Sequence, residues 1–125
     1  MAVENLELNI DFTDRAYNVN ENFQTMQGGG LYNITLTLSN GGVALSGLNT
    51  VSLFVVTSDS LNYFKTVNKV RDVVINGNVI VLSDADKKML FKTKGECQII
   101  VSIDGLSSLP FNYYVIPNPA YELMK

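Results

Sequence analysis

The chain of 125 residues has no histidine, no tryptophan and a single cysteine, Cys97. Without histidine, the Ser/His/Asp and Cys/His arrangements of nucleophilic catalysis cannot form, and the commonest metal ligand in proteins is missing. A lone cysteine excludes an internal disulfide and a cysteine zinc cage. Because Cys97 alternates with Ile99 and Val101 and has no histidine to activate it, we expect a buried, unreactive thiol. The sequence therefore predicts no cofactor and no metal site.

Positive charge and long apolar runs are scarce as well. The formal net charge is −3, and apart from Lys87-Lys88 the lysines and arginines are scattered, so no basic stripe is available for a nucleic acid. No apolar run reaches the roughly 18 residues of a membrane span. The N-terminus, "MAVENLELNIDF", lacks the basic and continuous apolar regions of a secretory signal. We expect no nucleic-acid partner, no membrane association, and synthesis in a cytoplasm.

Short alternating strands dominate what is present. Apolar and polar residues alternate over 6–12 and again over 32–38, which is typical of strands with one buried face. Residues 50–57 are apolar on both faces, which predicts a central strand of a sheet. Further strands are predicted at 23–26 and 63–67.

Turn and helix signals separate these strands. Asn76-Gly77 and Asp104-Gly105 each lie between apolar runs, and both dipeptides tolerate the positive φ angles of tight hairpins. Ser83, followed three residues later by Asp86, matches a capping arrangement for a short helix over 84–90. Asn118-Pro119 is a good helix start near the end of the chain.

These patterns together predict an all-β fold. About seven or eight short strands, spaced by roughly ten residues, favour an immunoglobulin-like antiparallel β-sandwich with one short helix. We expect this domain to span residues 1–116. Residues 117–125 are then a tail, and the helix start within it suggests the beginning of a helical linker.

The remaining chemistry is limited to carboxylates and tyrosines. Paired carboxylates could hydrolyse glycosides, but only if two acids face each other in a cleft, which the sequence does not place. Asp84-Ala85-Asp86 resembles the opening of a calcium loop, yet two lysines follow where oxygen ligands are needed, which favours helix capping. Exposed tyrosines such as Tyr63 or Tyr114 would suit a carbohydrate-binding or adhesin module.

The order of the strands resembles one known family. The passages that carry the resemblance are "YNITLTLSNGGVALSGLNTVSLFVV", "VIVLSDADKKML", "KTKGECQIIVSIDG" and "LPFNYYVIP", with Leu45-Ser46-Gly47, Lys94-Gly95 and Phe111-Asn112-Tyr113 as the specific points. Over roughly residues 31–116 they are similar to the N-terminal domain of phage baseplate upper proteins of the BppU type. That resemblance implies an immunoglobulin-like domain that attaches to a siphophage tail tip and continues into a helical linker carrying receptor-binding proteins. It implies no catalytic residues.

The sequence thus favours a non-enzymatic structural protein of a phage tail or baseplate, assembled through protein contacts and located in the virion. Its expected partners are other tail or baseplate proteins and further copies of itself, as a trimer. Edge strands and residues 13–30 are candidate contact regions, with Phe23, Tyr63 and Tyr114 as candidate contact residues. A carbohydrate-binding module and an enzyme with paired carboxylates remain the alternatives.

Overall fold

The computed structural model describes residues 4–12, 23–27, 32–58 and 65–116. The elements within these residues are β1 Glu4–Asp11, β2 Phe23–Gln27, β3 Tyr32–Asn40, β4 Val43–Ala44, β5 Leu48–Ser58, β6 Lys65–Asn76, β7 Val79–Val81, α1 Asp84–Leu90, β8 Gly95–Ile103, β9 Leu106–Ser107 and β10 Phe111–Ile116. The strands form two sheets packed as a sandwich, so the predicted all-β fold with one short helix is confirmed. The described residues contain ten strands where about seven or eight were predicted, because β4, β7 and β9 are only two or three residues long.

The first sheet is built around β3. This strand pairs in parallel with β1 and antiparallel with β4 and β7. A parallel pair needs a long connection that returns the chain to the same end of the sheet. Residues 12–31, between β1 and β3, supply that length, and they include the strand predicted at 23–26. That strand, β2, belongs to the other sheet.

The second sheet has the order β2-β10-β8-β5-β6, and the short β9 pairs with β8. Strand β5 lies between β6 and β8, which confirms the prediction of a central strand over 50–57. Strands β2 and β10 are parallel, and the other neighbours in this sheet are antiparallel. The long β5–β6 pair contains a β-bulge, since the register shifts between Leu53 and Phe54.

The core lies between the two sheets and is made by the alternation that the sequence shows. Its buried residues include Ile34, Leu36 and Leu38 from β3, Val51, Leu53 and Val55 from β5, and Cys97, Ile99 and Val101 from β8. Full burial of one aliphatic side chain contributes about 1.5–3 kcal/mol of transfer free energy. The prediction that Cys97 is buried is confirmed.

Helix α1 begins with the capping box that the sequence predicts. Ser83 Oγ accepts a hydrogen bond from the Asp86 amide (3.2 Å), and the Ser83 amide donates to Asp86 Oδ2 (2.9 Å). The helix is anchored to β3 by Lys87 Nζ, which donates to the Tyr32 carbonyl (3.0 Å). Its last residue, Leu90, is buried in the core. Asp84-Ala85-Asp86 therefore forms the first turn of the helix, and Asp86 completes the cap that Ser83 begins.

The Asp104-Gly105 turn is confirmed as a tight hairpin. Asp104 and Gly105 have φ angles of 51° and 81°, and Ile103 pairs with Leu106 across the two-residue turn. Positive φ at both central residues is the geometry that matches the twist of the adjoining strands.

The hairpin predicted at Asn76-Gly77 is wrong. Strand β6 pairs with β5 in the second sheet, whereas β7 pairs with β3 in the first. Gly77 has a φ of 110°, and its amide donates to the Gly47 carbonyl (2.9 Å). The carbonyl of the next residue, Asn78, accepts a hydrogen bond from the Leu38 amide (2.8 Å). The chain therefore pairs with β3 immediately after the turn. The dipeptide makes a turn, but long-range partners decide that the turn crosses from one sheet to the other. Asn118-Pro119 and the rest of the predicted tail, 117–125, lie outside the described residues.

Candidate functional site

Two of the three candidate contact residues, Phe23 and Tyr114, lie on the neighbouring strands β2 and β10 at one end of the second sheet. Tyr114 lies on β10 with its side chain pointing away from the core, and 39% of it is exposed. Phe23 is the first residue of β2, where the structure describes the backbone alone, and it lies opposite Asn112 in the parallel pair. Tyr63 is outside the described residues. The register thus brings Phe23 within two positions of Tyr114.

Side chains on the outer face of the second sheet can be placed by strand register. Gln98 lies between Val56 on β5 and Asn112 on β10, and Val56 lies opposite Val67 on β6. On one side of this row, Ser58 pairs with Lys65 and Glu96 with Tyr114. On its other side, Phe54 lies between Lys69 and Ile100. Polar and apolar residues therefore share this face in neighbouring rows.

Four apolar residues of this face form what we call the outer apolar patch: Phe54, Val56, Val67 and Ile100. None of them belongs to the core cluster between the sheets, although Val56 is itself buried, with 4% of it exposed. Phe54 and Ile100 are half-buried, and Val67 is 62% exposed. A contiguous apolar group on a sheet face, flanked by charged residues, is typical of a protein contact surface.

Beside the patch lies a partly open cleft of about 260 Å³, lined by Ser58, Lys65, Glu96, Cys97, Gln98, Asn112 and Tyr113. Its position follows from side-chain size. The central strand carries the short side chains of Val56 and Ser58 at this end, while Lys65 on one side and Glu96 and Gln98 on the other are longer. Gln98 Nε2 donates to Asn112 Oδ1 (2.9 Å), which fixes the two amides relative to each other.

One carboxylate of this face, that of Asp72, is paired. Ser52 donates a hydrogen bond to Asp72, and Lys69 contacts the same carboxylate at 2.9 Å. The hydrogen bond from Ser52, together with that from Lys69, lowers the pKa of Asp72 below its ordinary value. Asp72 is therefore ionised and paired at neutral pH, and it is not a candidate acid catalyst.

The two reactive groups behind the cleft are unsuited to nucleophilic chemistry. Burial raises the pKa of the Cys97 thiol, which contacts the Thr93 carbonyl at 3.6 Å. Burial and the neighbouring Cys97 also raise the pKa of Tyr113, whose hydroxyl donates to the Leu90 carbonyl (2.7 Å). Both groups are protonated at neutral pH, which agrees with the prediction of an inert thiol.

The described residues offer neither a metal cluster nor a membrane-spanning helix. Within 4–12, 23–27, 32–58 and 65–116, no group of three or more His, Cys, Asp or Glu side chains is placed to hold a metal ion. The one helix in the described part of the chain is too short to cross a bilayer.

Sequence reasoning missed most of this face. The sequence patterns do not point to Gln98 as a site residue, and Asn112 enters only through the family resemblance, although alternation with the buried Cys97 and Tyr113 places both on the outer side. Phe54 and Val56 were noticed only as evidence for a central strand. Neither a protein-family model nor a curated protein sequence matches this chain.

Proposed function

We propose that this chain is a structural, non-enzymatic domain of a phage tail or baseplate, which links receptor-binding modules to the tail tip through protein contacts. The observation that carries the proposal is the outer apolar patch on the second sheet. The resemblance of the strand order to that of phage baseplate upper proteins supports a role in assembly over the alternative functions. In this proposal the protein is made in the host cytoplasm and ends in the virion.

The patch has the composition of a docking surface. Val67 is exposed on β6, Val56 lies opposite it on β5, and Phe54 and Ile100 pair with each other in the neighbouring row. Lys65 and Lys69 flank it on β6, so the apolar centre has a charged rim. An apolar centre excludes water from the contact, and a charged rim favours one orientation of the partner.

The face is a better contact surface than the adjoining strand edge. Strand β6 is 12 residues long and forms one end of the second sheet as described. It carries two lysines and a bulge, which are the features that protect an edge from pairing with another strand. We therefore assign the partner contact to the outer apolar patch and the trimer contact to regions other than this edge.

Co-expression with the products of the genes that flank this one tests the proposal, which requires tail or baseplate proteins among them. We expect the chain to co-elute with at least one of them in size-exclusion chromatography. Val67→Glu places a charge in the patch, and we expect it to weaken the complex by at least about tenfold, as for desolvation of a charge at an interface core. Light scattering of the purified complex measures whether the chain is trimeric.

Val79→Glu is the matched control. Val79 is also a partly exposed valine on a strand, but it lies on the first sheet, opposite Thr37. We expect this variant to bind its partner as the wild type does. Failure of the wild-type chain to bind any of the tail proteins would refute the proposal, and equal weakening by both variants would move the contact away from the patch.

A further inference from the structure

The cleft beside the outer apolar patch has the features of a ligand site that the assembly function does not require. Five of its lining residues carry polar side chains that bear hydrogen-bonding groups: Ser58, Lys65, Glu96, Gln98 and Asn112. We propose that this cleft binds a single ring of a neutral saccharide. The proposal does not depend on the assembly function.

The amide pair points to a ligand rich in hydroxyl groups. The bond from Gln98 Nε2 to Asn112 Oδ1 uses one donor and one acceptor. Among the described residues, no hydrogen bond uses the Gln98 carbonyl oxygen or the Asn112 amide nitrogen, so both can serve a ligand on the same surface. Of two adjacent sugar hydroxyls, one can donate a hydrogen bond to the Gln98 oxygen and the other can accept one from the Asn112 nitrogen. A purely anionic ligand has no donor for the Gln98 oxygen, and a purely apolar ligand bonds to neither atom.

The charges of the cleft favour a neutral sugar. Lys65 and Glu96 stand on its two sides, on β6 and β8, and their charges are opposite. An anionic ligand would be attracted by Lys65 and repelled by Glu96. A cationic ligand would be attracted by Glu96 and repelled by Lys65. A neutral hydroxyl group can accept from the ammonium or donate to the carboxylate without a net charge penalty.

An aromatic ring lies next to the polar groups. Tyr114 projects from the same face as Asn112 and pairs with Glu96 across the β8–β10 ladder. A partly exposed tyrosine offers an apolar ring face, on which the C–H side of a sugar can pack, together with a polar hydroxyl. The cleft volume of about 260 Å³ is slightly below the range of drug-sized pockets, which suits one ring.

NMR titration of the full chain tests this site. The probes are the methyl glycosides of glucose, galactose, N-acetylglucosamine and rhamnose, with sialic acid as an anionic comparison. We expect at least one neutral probe to bind with a dissociation constant on the order of 1 mM, as is usual for a small ligand in a shallow site. The shifted amide signals should centre on Glu96, Gln98, Asn112 and Tyr114.

Matched variants distinguish the cleft from the rest of the face. Asn112→Ala should weaken binding about tenfold, since it removes a hydrogen bond from the site. Tyr114→Ala should weaken binding while Tyr114→Phe, which keeps the ring, should retain most of it. Ser102→Ala is the control on the same sheet face, because Ser102 pairs with Ser52 and Ser107 away from the cleft.

Three results would overturn the saccharide site: no shifts with any neutral probe at ten times the expected dissociation constant, binding of sialic acid alone, or shifts that persist unchanged in Asn112→Ala. Thermal melting of each variant identifies a folding defect. If a variant is misfolded, the residues whose signals shift in the wild-type chain show whether the probe binds in the cleft. Co-elution with tail proteins is measured separately, so loss of either property leaves the other interpretable.

Discussion

Arg71 Nε donates to both carboxylate oxygens of Asp86, at 2.9 and 3.0 Å, and joins strand β6 to the first turn of helix α1. The Asp86 side chain is 2% exposed, whereas that of Arg71 is 36% exposed. Burial by itself would raise the pKa of Asp86, but the hydrogen bonds from Arg71 and from the Ser83 backbone outweigh it and hold the pKa below the ordinary value. One carboxylate thus serves both as a helix cap and as a link between helix and sheet.

Asp86→Asn should therefore lower the free energy of unfolding at neutral pH by about 2–3 kcal/mol, since it removes a charge that Arg71 requires. The pKa of Asp86 is lower in the folded than in the unfolded state. Its contribution is thus complete above the unfolded value and is lost as pH falls through the folded value. Urea unfolding between about pH 6 and pH 2 should show a steeper acid loss for the wild type than for Asp86→Asn.

Asp84→Asn is the control for this prediction. Asp84 also pairs with a cation, Lys87, at 3.2 Å, but its side chain is 96% exposed. We expect Asp84→Asn to change the free energy of unfolding by no more than about 0.5 kcal/mol, as is usual for surface ion pairs. Identical acid profiles for the wild type and Asp86→Asn would contradict our assignment of the buried pair.

Asp11 holds the turn between β3 and β4. Its carboxylate accepts hydrogen bonds from Ser39 Oγ (2.7 Å) and from the amides of Gly41 (3.1 Å) and Gly42 (2.9 Å). Asp11→Ala leaves these donors without their acceptor and should cost about 2–3 kcal/mol in thermal or chemical unfolding. Asp104→Ala, which changes an exposed aspartate in another turn, should cost less. Equal losses would show that Asp11 contributes no more than an ordinary turn residue.

The Tyr113 hydroxyl links β10 to the end of helix α1. Tyr113→Phe leaves the Leu90 carbonyl unpaired in the interior and should destabilise the fold by about 1–3 kcal/mol. Because the folded state raises the pKa of Tyr113, its contribution is complete below the unfolded pKa near 10 and is lost as pH rises above it. Tyr113→Phe should accordingly lose less stability than the wild type in alkaline solution.

The neighbouring tyrosine provides the control for that measurement. Tyr114 lies on the exposed face of the same strand, and Tyr114→Phe should leave unfolding nearly unchanged at neutral pH. If Tyr114→Phe destabilised the chain as much as Tyr113→Phe, the buried hydrogen bond could not be the cause.

The Asp104-Gly105 turn gives a pair of opposite predictions. Gly105→Ala should cost about 1 kcal/mol, because a Cβ there meets no atom within 4 Å and the penalty comes from the φ angle of 81° alone. Asp104→Asn should be neutral or slightly stabilising, since Asn-Gly is the preferred dipeptide for this turn. Thermal unfolding of the two variants measures both effects, and a stabilising Gly105→Ala would contradict the positive φ angle.

The faces of the strands could be predicted because alternation depends only on the order of apolar and polar residues. Ile34, Leu36 and Leu38 face the core for this reason, and so do Cys97 and Ile99. The short helix could be predicted as well, because its capping box is formed by residues close together in the sequence. These features require no knowledge of which strands pair.

The partners of the strands could not be predicted in the same way. Asn76-Gly77 has the local chemistry of a hairpin, yet β7 pairs with β3 because its one buried residue, Ile80, completes the core of the first sheet. Strand β6 continues without interruption from Lys65 to Asn76, although the sequence predicts a separate strand over 63–67. A bulge near Val70 keeps it paired with β5, and no local pattern reveals that bulge.

Part of the candidate site could be predicted from the sequence. The exposure of Tyr114 follows from the buried positions of Tyr113 and Val115 on either side of it. The contact between Gln98 and Asn112 depends on the register of β8 with β10, which is a long-range property. The cleft also depends on the size of neighbouring side chains on four strands, and a single sequence does not give their alignment.

The parallel pairing of β2 with β10 has a consequence for biosynthesis. Phe23 meets Asn112, so two segments separated by most of the chain must come together before the second sheet is complete. Until β10 has emerged from the ribosome, the edge of β8 that it covers has no partner strand, and the unpaired backbone groups of that edge are open to pairing with other nascent chains. Closure of so large a loop also slows refolding, which for sheets of this kind takes on the order of milliseconds to seconds.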